Sequence, residues 1–546
     1  MKTTLNEYCT IPQNKFDRLL TGFQYGDLMN NLNLNRIKPR VLFLFWLTWE
    51  LYFTPVISNA HGFGERYDLP VPLWLYITGA GMAVVLSFGI IGIFVKRTNH
   101  TFDYPRLNLL RWRIGRALVS PTLVVSVKVI SVLLLVLVII SGFIGTSDPT
   151  KNIAPVFVWV IWWVGLAFIS ALVGNVWMLI NPWKISFEWM ESLYRRFGLP
   201  GELARNLPYP ERIGVWPGFL LFFCFAWIEL VFPHSAVPSN IAWMSLVYSV
   251  ITWGGMFLFG KERWLSHGEA FSLIFGFLAR FAPTELRVTD TNICKTCKAG
   301  CLDSDGQCID CNYCFRRADP QKRELNLRPY SVGLLRNENV SPSIMALLML
   351  ILATITFDGF EATPVWETIQ KWFGTISPHF RQEMVVSTIS LICFSGIFIV
   401  TYLGFSALMK ITSRTQSSII EIACVFVFSL IPISLAYHLA HYLTYLLIQG
   451  QLIFPLISDP FGFGWNLFGT AQYKVNIAIV GAKFAWYTAV IAIVLGHIIA
   501  VYIAHVISLR TIQDHSSALR SQYPMLVLMV GYTMVSLWIL AQPIAS

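Results

Sequence analysis

The chain has 546 residues, of which 55% are hydrophobic, 15% aromatic and only 13% charged, with a mean hydropathy of +0.58. A soluble domain carries about 25% charged residues, so this composition excludes an ordinary water-soluble enzyme and points to a chain dissolved in a bilayer. The net charge of +10 fits the basic rim of a membrane protein, and no nucleic-acid partner is expected.

Residues 1–40 are polar and basic, with Lys15, Arg18, Arg36, Lys38 and Arg40. Val41–Ser58 is the first apolar run, broken by Glu50 and Pro55. A basic start, an apolar run and Ser58-Asn59-Ala60 also have the form of a signal peptide, which would leave His61 as a metal-competent terminus. The long polar lead and Glu50 argue against that cleavage. Further runs near the roughly 20 residues a spanning helix needs are Val71–Val95, Val119–Ile144, Ile153–Ile180, Gly214–Phe232 and Ile241–Gly260. After a polar interval come Ile344–Phe360, Val385–Met409, Ile419–Gln449, Asn476–Leu509 and Pro524–Ala541. The expected fold is therefore an all-α polytopic bundle of about eleven spans. It divides into an N-terminal segment (1–40), a first helical block (41–260), an insert (261–342) and a second block (343–546).

Lysine and arginine set the expected orientation. With the N-terminus inside, 33 of the 40 basic residues fall on inner segments and five on outer ones. That asymmetry places the insert in the cytoplasm and the C-terminus outside, in a bacterial inner membrane. The loop from Lys96 to Arg116 reads as a cytoplasmic basic loop at lipid headgroups.

The insert holds NICKTCKAGCLDSDGQCIDCNYCF, with Cys294, Cys297, Cys301, Cys308, Cys311 and Cys314, six of the ten cysteines. A reducing compartment favours metal thiolates over disulfides, and C-x2-C pairs deliver two sulfurs to one ion through a tight turn. Gly300, Asp303, Ser304, Asp305 and Gly306 supply turn chemistry between the two halves. Zinc would take Cys294, Cys297, Cys311 and Cys314, with Cys301 and Cys308 spare or shared. An iron–sulfur cluster is the alternative, because Cys308, Cys311 and Cys314 copy three ligands of a ferredoxin run. The fourth would fall at Ala318, which cannot ligate, and this departure puts zinc ahead.

Ionisable residues within spans are costly and mark function by default. Glu50 and Lys128 could pair mid-span. A richer set lies toward the outer ends: Glu229, Asp358, Glu361, Lys483, and His438 with His441 on one face of the ninth span. His441 lies roughly 12 Å from the outer end of its helix and His497 roughly 30 Å from that of the next, so the two do not share one haem. His438 and His441 with Asp358 or Glu361 would form a catalytic site holding a transition metal whose bound water becomes the nucleophile. A second, inner site would gather His497 and His505 with His267 and Glu269.

The stretches AHGFGERYDLPVPLWLY, FDGFEATPVW, YHLAHYLTYLLIQGQ, LISDPFGFGWNLFG and GHIIAVYIAH resemble a bacterial polytopic membrane family whose members are labelled fenitrothion hydrolase. The resemblance spans most of the chain and implies hydrolysis of small lipophilic organophosphate-like esters. No catalytic motif transfers with it. The other two classes of function in view are a membrane redox protein fed by an iron–sulfur cluster and a proton- or metal-coupled transporter. The bilayer and a small lipophilic substrate are the expected partners; no partner subunit can be read from the chain.

Overall fold

The computed structural model describes residues 72–95 and 104–542, apart from 296, 298–300, 304, 337, 377–381 and 513. The first apolar run, Glu50 and His61 lie outside the described residues. Within them, ten helices are long and apolar enough to cross a membrane. Each falls on one of the runs expected from the sequence.

The elements used below, in chain order, are α1 (Leu73–Phe94), β1 (Leu107–Asn108), α2 (Pro121–Ile144), α3 (Ile153–Leu172), α4 (Pro182–Arg196), α5 (Trp216–Leu230), α6 (Pro238–Phe259) and α7 (Ala270–Ala279). The insert contributes β2 (Thr284–Val288), α8 (Asn292–Lys295), β3 (Cys308–Ile309), α9 (Asn312–Arg317) and β4 (Arg323–Leu327). The second block holds α10 (Pro342–Glu361), α11 (Glu383–Ser413), α12 (Ile419–Phe426), α13 (Ile431–Gln449), α14 (Ala482–Thr511) and α15 (His515–Leu540).

Burial separates the axis of the bundle from its rim. The apolar window of α10 is 83% buried and that of the span containing α13 is 78% buried, against 11% for α2. The two innermost spans therefore carry Asp358, Glu361, His438 and His441. Close packing rests on small residues, which let backbones approach. A Cβ on Gly496 of α14 would lie 2.4 Å from the Ala436 side chain and 2.7 Å from the Pro432 carbonyl of α13. Gly142 of α2 meets the Pro238 carbonyl of α6 in the same way, at 2.5 Å.

Within α3, Val156–Gly165 winds as a ten-residue π-helix. Pro155, which has no N–H to give the ladder, directly precedes it. The wide winding sets Trp159, Trp162 and Trp163 into the aromatic core, with Trp162 at 4.5 Å from the Phe271 ring. Runs of π-helix are rare and concentrate at functional sites.

The helical fold carries one small sheet. Three strands of residues 284–327 and β1 from the 96–116 loop pair antiparallel in the order β1-β4-β2-β3. Leu286–Val288 and Leu325–Leu327 alternate apolar and polar residues at the strand period of two. The pairing sets Glu285 opposite Asn326. Glu285 is fully buried and is held by Arg328 at 2.9 Å, Arg106 at 2.7 Å and the Tyr104 hydroxyl at 2.6 Å. The 96–116 loop thus sends Arg106 and β1 onto the insert sheet.

Burial raises the Glu285 carboxyl pKa, but Tyr104, Arg328 and Arg106 more than offset it and hold it below the ordinary range. Asp310 behaves alike, with Arg336, Arg328 and the Leu286 amide outweighing burial. A depressed folded pKa contributes stability that is present above the unfolded value, roughly 4. That stability is lost as the pH falls through the folded value. Glu285→Leu leaves the fully buried Arg328 guanidinium without its carboxylate and is expected to cost about 3–5 kcal/mol. The double variant Glu285→Leu/Arg328→Met should recover most of it. Amide hydrogen exchange across β2 and β4 is the measurement; equal exchange in the single and double variants would refute the pairing argument.

Candidate metal centre and membrane site

The sequence around the cysteines folds as two turns and a hairpin. Cys294 lies in the short α8, and the Cys297 amide donates to the Cys294 carbonyl at 3.1 Å. Between Leu302 and Cys308, Asp303 Oδ1 accepts the Asp305 and Gln307 amides at 3.1 and 2.7 Å. Gly306 sits at φ +72, a left-handed backbone that glycine adopts without strain. Cys308 then pairs with Val288 on β2, Cys311 caps α9, and Cys314 lies one turn into it. Cys294, Cys308 and Cys314 are buried; Cys297, Cys301 and Cys311 are half-buried.

All six sulfurs converge. Cys297 and Cys311 are 3.8 Å apart, Cys301 and Cys308 3.7 Å, and Cys301 and Cys314 3.5 Å. Two sets of four have every sulfur within 4.8 Å of the others: Cys294, Cys301, Cys308, Cys314, and Cys297, Cys301, Cys311, Cys314. The expected foursome of Cys294, Cys297, Cys311 and Cys314 is not one of them, and Cys301 is a shared member instead of a spare. Hydrogen bonds from Cys308 and Cys311 push the Cys301 thiol down to about 5. Its partners Cys308 and Cys314 are pushed up, the former by its bond to Cys301 and the latter by burial. Crowding keeps some of the six as neutral thiols, and a bound cation would favour their ionised form.

The Cys301 and Cys311 edge opens on a cavity of about 720 Å³ between insert and bundle, which Lys184, Glu262, His267, Arg280 and Arg336 also line. Asp310 accepts the Leu286 amide at 2.9 Å and pairs with Arg336, while Arg280 pairs with Glu338 at 2.7 Å. The first pair ties the end of β3 to the segment before α10, and the second ties that segment to the C-cap of α7.

The membrane residues form a different site from the one expected. Asp358 lies about 24 Å along α10 from Pro342, at 1.5 Å per residue. Its Oδ2 meets His441 Nε2 at 3.0 Å and receives the Tyr442 hydroxyl. His441 and Asp358 side chains keep 22% and 26% exposure, so the pair stays reachable. Glu229, from α5, is within electrostatic reach of Asp358, Tyr442 and Tyr445.

His438 shares a helix face with His441, yet its ring diverges. It packs 5.1 Å from Phe168 and 6.4 Å from Trp163, and its buried Nε2 has no partner among the described residues. Glu361 accepts the Ser387 hydroxyl at 2.8 Å and so faces α11. Among the described residues only cysteines form sets of three or more metal-ligating groups. The expected grouping of His438 and His441 with Asp358 or Glu361 around one ion is not seen among the described residues; Asp358 instead joins His441 and Tyr442. Lys483 is exposed, and Lys128 pairs with Glu188 of α4 at 3.0 Å.

The expected inner site also separates into structural roles. Glu269 is an N-cap, accepting the Phe271 and Ser272 amides at 3.0 and 2.8 Å and Asn181 at 3.0 Å. His505 joins α14 to α15 and α1 through Gln522 at 2.9 Å and the Val95 carbonyl at 2.8 Å. His497 bonds the Ile493 carbonyl at 2.8 Å, and His267 contacts the Ser266 hydroxyl at 2.8 Å. Each histidine bonds a partner of its own, while the buried Nε2 of His497 has none among the described residues.

Sequence reasoning missed Tyr442, which follows His441 directly, and the π-helix that brings Trp163 to His438. It also missed a cavity of about 600 Å³ lined by Trp162, Phe225, Trp227, Ile228 and Trp243. Trp227 and Ile228 face this apolar cavity, while the next residue, Glu229, serves the polar cluster. Comparison with family models, curated proteins and solved structures finds no match. The fold and the two sites define a helical, membrane-type protein with a cysteine cluster able to hold metal.

Proposed function

We propose that this chain is a membrane-embedded acid–base enzyme acting on small lipophilic esters of the organophosphate type, steadied by a zinc–thiolate insert. The observation that carries the reading is the double engagement of Asp358 Oδ2 by His441 and Tyr442. An ionised carboxylate only accepts hydrogen bonds. Both neighbours therefore donate, and the lone pair of His441 is left on Nδ1. A water beside Nδ1 can give up its proton there while its oxygen attacks the phosphorus or carbonyl centre and the phenolate leaves. Asp358 stabilises the imidazolium that forms. The apolar cavity beside α5 suits a lipophilic substrate, and the resemblance described above supports the ester class.

In the insert, sulfur separations of 3.5–3.8 Å favour zinc. Four thiolates around one ion at about 2.3 Å stand roughly 3.8 Å apart, whereas ligands on different irons of a cluster stand farther apart. When bound, the metal supplies folding free energy. The basic asymmetry supports a bacterial cytoplasmic membrane with the insert inside the cell.

Proton-coupled transport is the second reading, favoured by a run of ring contacts through the bundle. His441 and Tyr437 centroids are 6.3 Å apart, Tyr437 and Tyr532 6.5 Å, and Tyr532 and His497 5.9 Å. Purified protein in liposomes, offered aryl phosphate and carboxylate esters that release a coloured phenol, separates the two. Phenol release supports the enzyme; ester flux without chemical change supports the transporter and refutes the enzyme.

A further inference from the structure

We propose that the insert binds two divalent metal ions, not one, as an edge-sharing pair in which Cys301 and Cys314 bridge both. The inference rests on the metal–thiolate reading above and deepens it.

Two tetrahedral ions need eight ligand positions, and the insert offers six sulfurs. Two sulfurs must then serve twice. Cys301 and Cys314 are the members common to both sets of four. Their separation is 3.5 Å, shorter than the 3.7 Å of Cys301–Cys308 and the 3.8 Å of Cys297–Cys311. In an edge-sharing pair the shared edge would be the short one, because both cations would attract its two sulfurs.

The remaining sulfurs divide cleanly. Cys294 and Cys308 complete one tetrahedron, and Cys297 and Cys311 complete the other. The two sets of mutually close sulfurs differ only in these pairs. Each set thus gives its ion a pair of sulfurs of its own. The spacing has the same logic. The chain presents two triplets, Cys294/Cys297/Cys301 and Cys308/Cys311/Cys314. Each ion takes one cysteine of equal rank from each triplet, and the third of each triplet bridges.

Charge agrees with this count. Six thiolates and two divalent ions leave a residual charge of minus two. Arg316 and Arg317 end α9 next to Cys314, and Arg323 reaches back to the Ala318 carbonyl at 2.7 Å. A single ion would leave six crowded sulfurs with half that neutralisation.

The test is metal stoichiometry on full-length protein purified in detergent after growth with zinc. Wild type is expected to carry two zinc ions per chain. Cys301→Ser and Cys314→Ser should each lose both, whereas Cys294→Ser, Cys308→Ser, Cys297→Ser and Cys311→Ser should each keep one. If the bridging variants fail to fold, cadmium-113 exchanged into wild type gives the answer without mutation. Two resonances coupled to one another through the bridging sulfurs are expected. One zinc per chain with a single uncoupled cadmium resonance overturns the pair and leaves the metal–thiolate reading standing. No bound metal in wild type overturns both.

Discussion

Stripping metal from the purified protein unfolds the insert and leaves the membrane helices in place. The reason is the size of the insert's own core. Its buried apolar side chains are Val288, Phe315 and Ala318, joined by Cys294, Cys308 and Cys314. Of its three strands β3 has only two residues, as has β1, which the 96–116 loop adds to the sheet. So small a core cannot offset the entropy of ordering some forty residues, at roughly 1–2 kcal/mol each. Structural zinc supplies about 10–16 kcal/mol of binding free energy that is also folding free energy. Limited proteolysis with and without a strong chelator measures the effect. New cuts between Asn292 and Arg323, with the spans flanking the insert intact, are expected. An unchanged cleavage map would show that the sheet and its ion pairs hold the insert by themselves. Acid should act in the same direction, since protons compete for thiolates and also neutralise Glu285 and Asp310.

Asp358→Asn lowers ester turnover by about 10²–10⁴-fold, the usual worth of a positioned acid–base group. Asparagine keeps the shape of the side chain but not its charge. Its amide can also turn an N–H toward His441, which favours the opposite tautomer and puts the proton on Nδ1, where the base is needed. Asp358→Ala should be no better, because the imidazolium then forms without a counter-charge. Tyr442→Phe removes one hydrogen bond from the carboxylate and should cost about tenfold. Turnover and pH profile in liposomes, with insertion checked by protease protection, are the measurements. Wild-type turnover in Asp358→Asn would remove the dyad from the mechanism.

The spans were legible because a bilayer demands long apolar runs, and that demand leaves its mark on every residue. The cysteine cluster was legible for a similar reason: thiolate chemistry needs its residues at short, regular spacing. Grouping of the six was not, since it depends on how β3 and α9 fold Cys308 and Cys314 back onto Cys301. The sheet was hidden because two of its strands are two residues long and its pairing joins residues as distant as Leu107 and Leu327. At the membrane site, helical spacing correctly placed His438 and His441 on one face. It could not show that one ring turns to Asp358 and the other to Phe168 and Trp163, because the π-helical winding of α3 decides where those rings lie. Glu269 and His505 show the opposite failure. Polar residues in an apolar setting invite a functional reading, but here they satisfy helix ends and neighbouring helices.

The account divides the molecule's labour between a metal insert that holds structure and an Asp–His–Tyr cluster that performs chemistry. Measuring zinc content and ester turnover on one preparation of His441→Gln tests that division most directly. The account predicts wild-type zinc with turnover reduced by about 10²-fold or more. Wild-type turnover, or loss of zinc together with activity, would contradict it.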